Sequence, residues 1–196
     1  MLKRTFDIIF SAAGLIILSP LFLLISLIIK IDSRGPIFYR QIRVGKDSED
    51  FLLYKFRSMR LNSDKDGLLT VGGKDPRITK SGYYIRKYKL DELPQLINVL
   101  KGEMSFVGPR PEVRKYVDLY NENQKQVLKI KPGITDNASI IYRNENDLLK
   151  ESSDPESLYI NEIMPDKLKI NLEYIDKNSF ASDLKIIFKT IKSMFT

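Results

Sequence analysis

The most prominent pattern in the chain is a long hydrophobic run near its start. Residues 8–29 are 22 positions without a single charged side chain. As one helix at 1.5 Å per residue the run is roughly 33 Å long, enough to cross a hydrocarbon core of about 30 Å. Ser19 and Pro20 lie at its middle. Proline removes a backbone hydrogen bond, so we expect a kink there, and the Ser19 hydroxyl can satisfy the freed carbonyl.

Three kinds of segment could account for this run. A cleaved signal peptide is disfavoured, because the run is longer than a usual signal core and no small-x-small cleavage site follows it. A spanning helix fits the length. Lys3 and Arg4 precede the run and Lys30 and Arg34 follow it, and basic flanks on both sides favour a re-entrant helix with both ends on the cytoplasmic side. These patterns alone support the spanning and re-entrant alternatives about equally.

The rest of the chain alternates between strand-like and helix-like spacing, which predicts an α+β fold. We expect a β-hairpin with strands at 36–41 and 51–57 around a turn at 44–47. Helices are predicted at 79–88 and from Asp91 to about Leu100, with Gly102 as a stop, and again around Leu168, Leu172 and Ile175. The polar segments 61–74 and 143–156 are predicted to be loops.

The C-terminal segment has the pattern of an amphipathic helix. Lys185, Lys189 and Lys192 lie on one side of it. The apolar stripe on the other side consists of Leu184, Ile187, Phe188, Ile191, Met194 and Phe195. Such a helix either lies in a membrane interface or packs on the core with its lysines in solvent, and the hydrophobic N-terminal run favours the interface.

Composition restricts the chemistry that the chain can perform. Its 196 residues fit one domain and an anchor, and it contains neither cysteine nor histidine. Disulfides and thiolate metal sites are therefore excluded, and metal binding must use oxygen ligands, which suit Mg²⁺ or Mn²⁺. The net charge of +7 favours anionic partners such as phosphorylated substrates or lipid headgroups. The sequence contains no recognisable nucleic-acid-binding module.

Two adjacent carboxylates, Asp91 and Glu92, stand where a helix is predicted to begin. Taken alone they are best explained as helix caps that complement the helix dipole. Arg86 lies just upstream, and Arg110 follows in a rigid Gly-Pro-Arg-Pro turn. Two acids with several cations can also bind and transfer a phosphoryl group, and a carboxylate can act as the nucleophile.

Lys55 and Arg57 are further candidates for the same cationic pocket. They are two positions apart in a predicted strand, so their side chains share one face. Taken singly, each is most simply a solvated charge.

The segment 90–111 reads LDELPQLINVLKGEMSFVGPRP, and it closely resembles the signature of the bacterial sugar transferases, also called monotopic phosphoglycosyl transferases. Similar pieces occur along nearly the whole chain. They are the residues at 3–7, 19–20, 35–38, 54–59, 75–79 and 131–135. The chain resembles the small form of this family, because the extra multi-span N-terminal region of larger members is missing from it.

The resemblance implies a monotopic protein of the bacterial inner membrane. Ser19 and Pro20 would make the hydrophobic helix re-entrant within a membrane region at 1–34. Residues 35–196 would form a cytoplasmic catalytic domain that ends in the amphipathic helix.

The resemblance also implies an activity, the transfer of a sugar 1-phosphate from a UDP-sugar to polyprenyl (undecaprenyl) phosphate. Asp91 would attack the phosphate that bears the sugar, releasing UMP and leaving a sugar-phosphoryl aspartate. Glu92 would bind Mg²⁺, and Arg86 and Arg110 would hold phosphates, with Lys55 and Arg57 as additional candidates. The product would start a lipid-linked glycan such as a capsule, exopolysaccharide, O-antigen or glycoprotein glycan.

The chain departs from the family pattern after Thr135. Asp136 to Ile140 replace a more usual Gly-Trp-Ala-Gln-Val run, and Leu172 and Ile175 replace an acid and a tyrosine. We expect this region to shape the nucleotide or sugar pocket, which leaves the transferred sugar open. The alternative to an enzyme is a non-catalytic, basic, membrane-associated scaffold, and the sequence identifies no protein partner for either.

Overall fold

A computed structural model describes residues 1–63, 69, 72 and 75–193. Most of the predicted loop at 61–74 lies outside the described residues, as do Met194 and Phe195 of the predicted C-terminal stripe. Among the described residues, helices surround two small sheets, which confirms the α+β class.

Helices make up most of the described structure. They are α1 Leu2–Ile17, α2 Ser19–Asp32, α3 Lys80–Lys87, α4 Gln95–Lys101, α5 Arg114–Val117, α6 Asn137–Ile141, α7 Glu145–Glu151, α8 Pro155–Leu158, α9 Met164–Lys177 and α10 Phe180–Ser193. The strands are β1 Phe38–Val44, β2 Asp50–Phe56, β3 Ser105–Val107 and β4 Gly133–Thr135. Short 3₁₀ turns include Leu90–Glu92 and Gln124–Lys129, and a π-helical turn at Tyr159–Ile163 precedes α9.

The hydrophobic run is bent where the sequence predicts. α1 ends at Ile17 and α2 begins at Ser19, with an angle of 59° between them. The Ser19 hydroxyl donates to the Ile16 carbonyl at 2.8 Å, which is the carbonyl that an N–H at Pro20 would otherwise use. No single helix in the described ranges is long and apolar enough to cross a membrane. Taken together, the bent pair α1 and α2 is long and apolar enough.

Polar residues at the chain start hold α1 on the rest of the protein. The Arg4 guanidinium donates to the carbonyls of Val99 and Leu100 at 2.6 and 2.9 Å, at the C-terminal end of α4. The buried Asp7 carboxylate accepts from the Phe106 amide at 3.1 Å. These contacts join residues before position 34 to residues well after it. The division into a membrane region at 1–34 and a catalytic domain at 35–196 stays a prediction.

The two small sheets differ in how clearly the sequence predicts them. β1 and β2 form the predicted antiparallel hairpin, in which Phe38 pairs with Phe56. β3 and β4 pair in parallel and were not predicted. A Cβ at Gly133 would lie 2.1 Å from the Gly108 amide nitrogen, so the backbones meet there more closely than any side chain would allow.

The loop predicted at 143–156 is wrong, because α7 and the first half of α8 occupy it. Leu149 of α7 is buried in the largest core cluster, and the Asp154 carboxylate caps α8 by accepting from the Ser157 amide at 3.0 Å. The burial of Leu149 and the cap at Asp154 both stabilise helical structure in a segment whose composition is typical of a loop.

The C-terminal helix is confirmed, but its apolar residues face two directions. Ile186 is buried, and Ile187 packs partly against the same cluster. Phe188 and Ile191 are exposed, at 70% and 49%. The helix thus packs on the core with one side and presents apolar side chains on another, and its location in a membrane interface stays a prediction.

Candidate functional site

The acid pair lies in a tight turn between two helices. Asp91 and Glu92 belong to the 3₁₀ turn Leu90–Glu92, and α4 begins only at Gln95, after Pro94 at its N-cap. Neither carboxylate makes a capping hydrogen bond among the described residues. The helix was thus predicted to begin too early, and capping does not explain why two acids stand here.

Glu92 is held by two cations. Its Oε1 accepts from Lys55 Nζ at 3.3 Å, and the Arg110 guanidinium donates to both of its carboxylate oxygens. Burial alone would raise the pKa of Glu92, but the positive charges of Arg110 and Lys55 outweigh it, and the pKa lies well below its usual value. Glu92 is therefore ionised at neutral pH.

Asp91 has a different environment from its neighbour. Its residue surface is only 6% exposed, and it lines a cleft of about 720 Å³. Burial raises the pKa of Asp91; Lys55 and Arg86 oppose that rise, and the negative charge of Glu92 adds to it. The result is a poorly solvated carboxylate facing a cavity, and such a group is suited to attack an electrophile.

The cations around the acids come from three separate elements. Lys55 is in β2, Arg86 is in the last turn of α3, and Arg110 follows β3. All three line the same cleft as Asp91. Burial and the neighbouring charge of Arg110 lower the pKa of Lys55, although Glu92 opposes the shift. The fold thus brings five predicted residues together, the two carboxylates and the three cations around them.

Arg57 is the predicted site residue that the structure does not bring into this cluster. It lines the cleft, but its guanidinium donates to the carbonyls of Ser33 and Arg34 at 2.7 and 2.5 Å, just after the end of α2. Its Nε is buried, with no hydrogen-bond partner among the described residues. The contacts of Arg57 therefore join α2 to the hairpin, which strand alternation could not indicate.

The acids suit a metal ion that arrives with its substrate. Within the described ranges, no group of three or more metal-ligating side chains could hold an ion. Mg²⁺ is commonly bound by one or two carboxylates together with substrate phosphates and water. Asp91 and Glu92 offer carboxylates of this kind, and a metal ion at Glu92 would share its oxygens with Arg110 and Lys55.

The wall formed by α7–α9 and the segment after Arg110 was not predicted as part of the site. Here Glu112 accepts from Arg43 at 3.0 Å and from the Tyr159 hydroxyl, and Glu145 accepts from Lys167 at 2.6 Å. All five residues line the cleft. Only Glu112 carried a signal in the sequence, because it directly follows the Gly-Pro-Arg-Pro turn.

The residues that depart from the family pattern are not in this wall. Asp136 is buried at the start of α6, where its carboxylate accepts from the amide and hydroxyl of Ser139 at 2.8 and 2.7 Å. Leu172 and Ile175 pack against the largest core cluster. None of them is among the described residues that line the cleft, and their effect on the nucleotide or sugar pocket stays a prediction.

Comparisons with known proteins agree over nearly the whole chain. A sequence model of the family described as "Bacterial sugar transferase" matches residues 1–196. A UDP-N-acetylgalactosamine-undecaprenyl-phosphate N-acetylgalactosaminephosphotransferase of Aeromonas hydrophila is 37% identical over 100% of this chain and 44% of its own length. A UDP-glucose:undecaprenyl-phosphate glucose-1-phosphate transferase of Escherichia coli is 38% identical over 97% of this chain and 39% of its own length.

A third relative is similar in length to this chain. It is the exopolysaccharide production protein ExoY of Rhizobium meliloti, which is 34% identical over 99% of this chain and 85% of its own length. The chain thus spans about two fifths of the first two relatives and most of the third.

Proposed function

The chain belongs to the bacterial sugar transferase family, and we propose that it moves a sugar 1-phosphate from a UDP-sugar to polyprenyl phosphate and releases UMP. The names of two relatives specify this reaction type, with undecaprenyl phosphate as acceptor. The observation that carries the proposal is the position of Asp91, buried at a cleft beside three cations. Such a site can bind a diphosphate and attack it.

The first step uses Asp91 as a nucleophile. One of its carboxylate oxygens forms a bond to the phosphorus that bears the sugar. The bond from that phosphorus to the oxygen bridging the two phosphates breaks, and UMP leaves with the bond's electron pair. A sugar-phosphoryl aspartate remains on the protein.

The second step transfers the group to the lipid. A phosphate oxygen of polyprenyl phosphate attacks the same phosphorus, and the bond to Asp91 breaks, which restores the carboxylate. The side of the cleft nearest α2 suits this acceptor, because Ile37, Phe38 and Phe56 line it and Phe56 packs with Ile25 and Ile29 of α2. An isoprenoid chain can follow that apolar surface to the phosphorus.

The cations hold the phosphates during both steps. Arg86, Lys55 and Arg110 line the cleft around Asp91, and guanidinium groups suit bidentate binding of phosphate oxygens. Glu92 would hold Mg²⁺ together with substrate phosphates, and the ion would supply further charge neutralisation there. Glu92 also orients Arg110 and Lys55 through its two ion pairs.

We place the protein on the cytoplasmic face of the bacterial inner membrane, with α1 and α2 dipping into one leaflet. The 59° bend at Ser19 supports this topology. Large apolar side chains on both helices are exposed, as expected for contact with lipid. They include Ile9, Phe10, Ile16, Ile17, Leu23, Leu24 and Leu27. The lipid-linked product would be the first unit of a surface glycan.

The test is release of UMP from a panel of UDP-sugars, with Mg²⁺ and polyprenyl phosphate present. Wild-type protein is expected to release UMP from at least one donor. Asp91→Asn is expected to lose at least about 10⁴-fold of that rate, because its amide cannot form the phosphoryl intermediate. Turnover by Asp91→Asn close to that of the wild type would contradict the covalent role.

The same assay separates the enzyme from the scaffold alternative. EDTA is expected to stop UMP release by the wild-type protein, since Mg²⁺ would neutralise the charge of the diphosphate during transfer. A folded protein that binds vesicles but releases no UMP from any donor would favour the scaffold.

A further inference from the structure

The side of the cleft formed by α7 and α9 holds a paired acid and base that the two proposed steps do not use. Glu145 begins α7 and Lys167 lies in α9. Their side chains are 22% and 14% exposed, and Glu145 Oε2 lies 2.6 Å from Lys167 Nζ. Asn146 and Tyr159 line the cleft beside them. Because both side chains line the cavity and are partly exposed, they are placed to contact a molecule that fills it.

This pair adjoins the reacting centre through Arg110. The guanidinium that binds Glu92 also lines the cleft with Glu145. Glu92 is the main cause of the raised pKa of Arg110, and Glu145 contributes to the same shift. Glu145 is therefore close enough to Arg110 for their charges to interact.

The chemistry of this wall suits a sugar better than a phosphate. Lys167 is already neutralised by Glu145, so the pair adds no net positive charge for a further phosphate. The carboxylate accepts hydrogen bonds from hydroxyls, the ammonium and the Asn146 amide donate them, and the amide also accepts. Hydrogen-bond donors and acceptors side by side match the hydroxyls of a hexose.

We propose that Glu145 and Lys167, together with Asn146, bind the sugar of the UDP-sugar donor and select among donors. This inference rests on the proposed function. The sugar is bonded directly to the phosphorus that Asp91 attacks, so it must lie next to the site of Asp91 and Arg110. Glu145, Asn146 and Lys167 line the same cleft as Asp91 and Arg110.

The test measures the preference between UDP-sugar donors and does not depend on total activity. Glu145→Gln and Asn146→Ala are assayed for UMP release from UDP-glucose, UDP-galactose and UDP-N-acetylglucosamine, together with competitive inhibition by UDP. Each variant is expected to change the ratio of kcat/KM between the best and next donor by about tenfold or more, since a lost hydrogen bond affects only donors that make it. Inhibition by UDP, which has no sugar, is expected to stay within about twofold of the wild type.

Two results would overturn the inference while leaving the proposed function intact. One is an equal change of kcat/KM for every donor, and the other is a loss of UDP inhibition that parallels the loss of donor binding. Absence of UMP release by the wild-type protein from any donor would overturn the proposed function and this inference with it.

Matched variants guard against a trivial loss of folding. Glu122→Gln breaks an ion pair of similar length with Lys125, but Glu122 is 90% exposed and is expected to leave the donor ratio unchanged. If Glu145→Gln fails to fold, Asn146→Ala decides the question, because Asn146 is exposed.

Discussion

Asp91 and Glu92 are neighbours in the chain, yet their carboxylates have opposite electrostatic environments. Two cations hold Glu92 and keep its pKa low, whereas burial raises the pKa of Asp91. The residue types at this site could be predicted from the sequence, and so could the cations at positions 86 and 110. Their partners could not be predicted, because Lys55 reaches Glu92 across 37 positions of chain.

The first prediction concerns Lys55, whose charge keeps the pKa of Asp91 lower than burial alone would set it. Asp91 must be ionised to attack, so removing that charge in Lys55→Met raises its pKa and moves the acid limb of the pH profile to higher pH. We also expect a fall of about 10²-fold in kcat/KM for UMP release. The measurement is kcat/KM from pH 5 to 9.

A second lysine provides the control for that profile. Lys101 is exposed and contacts the Tyr54 hydroxyl at 3.1 Å, so Lys101→Met is expected to leave the acid limb in place. If the acid limb of the pH profile stays at the same pH in Lys55→Met, the electrostatic link between Lys55 and Asp91 is contradicted.

At the scale of elements, regular patterns could be predicted from the sequence and tertiary contacts could not. Alternation predicted the β1–β2 hairpin, and the Ser19-Pro20 pair predicted the bend between α1 and α2. The short strands β3 and β4 have only three residues each, too few for a recognisable alternation. They are held by a close backbone approach at Gly133, which no local pattern reveals.

That approach predicts the effect of Gly133→Ala. The added methyl would meet the backbone of Gly108 and Val107 at 2.1–2.7 Å, and backbone atoms cannot move aside as a side-chain tip can. We expect a loss of about 3 kcal/mol in unfolding free energy, or roughly 6–12 °C in the unfolding midpoint. Circular dichroism of the detergent-solubilised protein would measure the shift.

Gly14→Ala is the matched control for this substitution. Its added methyl would meet only the Leu96 side chain, at 3.2 Å, and the alanine also favours the helix. A midpoint for Gly133→Ala no lower than that for Gly14→Ala would show that β3 and β4 tolerate a wider separation.

At the scale of the molecule, one cleft brings together two kinds of lining around Asp91. Ile37, Phe38 and Phe56 line it and pack with α2, and Glu145 and Lys167 line it from α7 and α9. This arrangement explains how one site could serve a lipid and a soluble nucleotide sugar. The sequence predicted a membrane segment and an anionic substrate separately. In the structure, Arg57 joins the end of α2 to the hairpin through the carbonyls of Ser33 and Arg34. The sequence predicted Arg57 only as a phosphate-binding residue.

The re-entrant topology makes a prediction that the cysteine-free chain allows to be tested cleanly. Leu2→Cys and Arg40→Cys introduce single thiols at exposed positions on either side of the bent helix pair. Both are expected to resist a membrane-impermeant maleimide in intact cells, because the proposed re-entrant topology puts both ends on the cytoplasmic side. Both should react after permeabilisation, and labelling of only one position in intact cells would instead indicate a spanning helix.

Mass spectrometry of the intact protein can detect whether Asp91 takes the sugar phosphate from the donor. The protein is incubated with its preferred UDP-sugar and Mg²⁺ without polyprenyl phosphate. We expect one equivalent of UMP and a mass increase of one sugar phosphate, mapped to Asp91 and removed by adding polyprenyl phosphate. UMP formed only when the acceptor is present, with no change in protein mass, would contradict this role of Asp91.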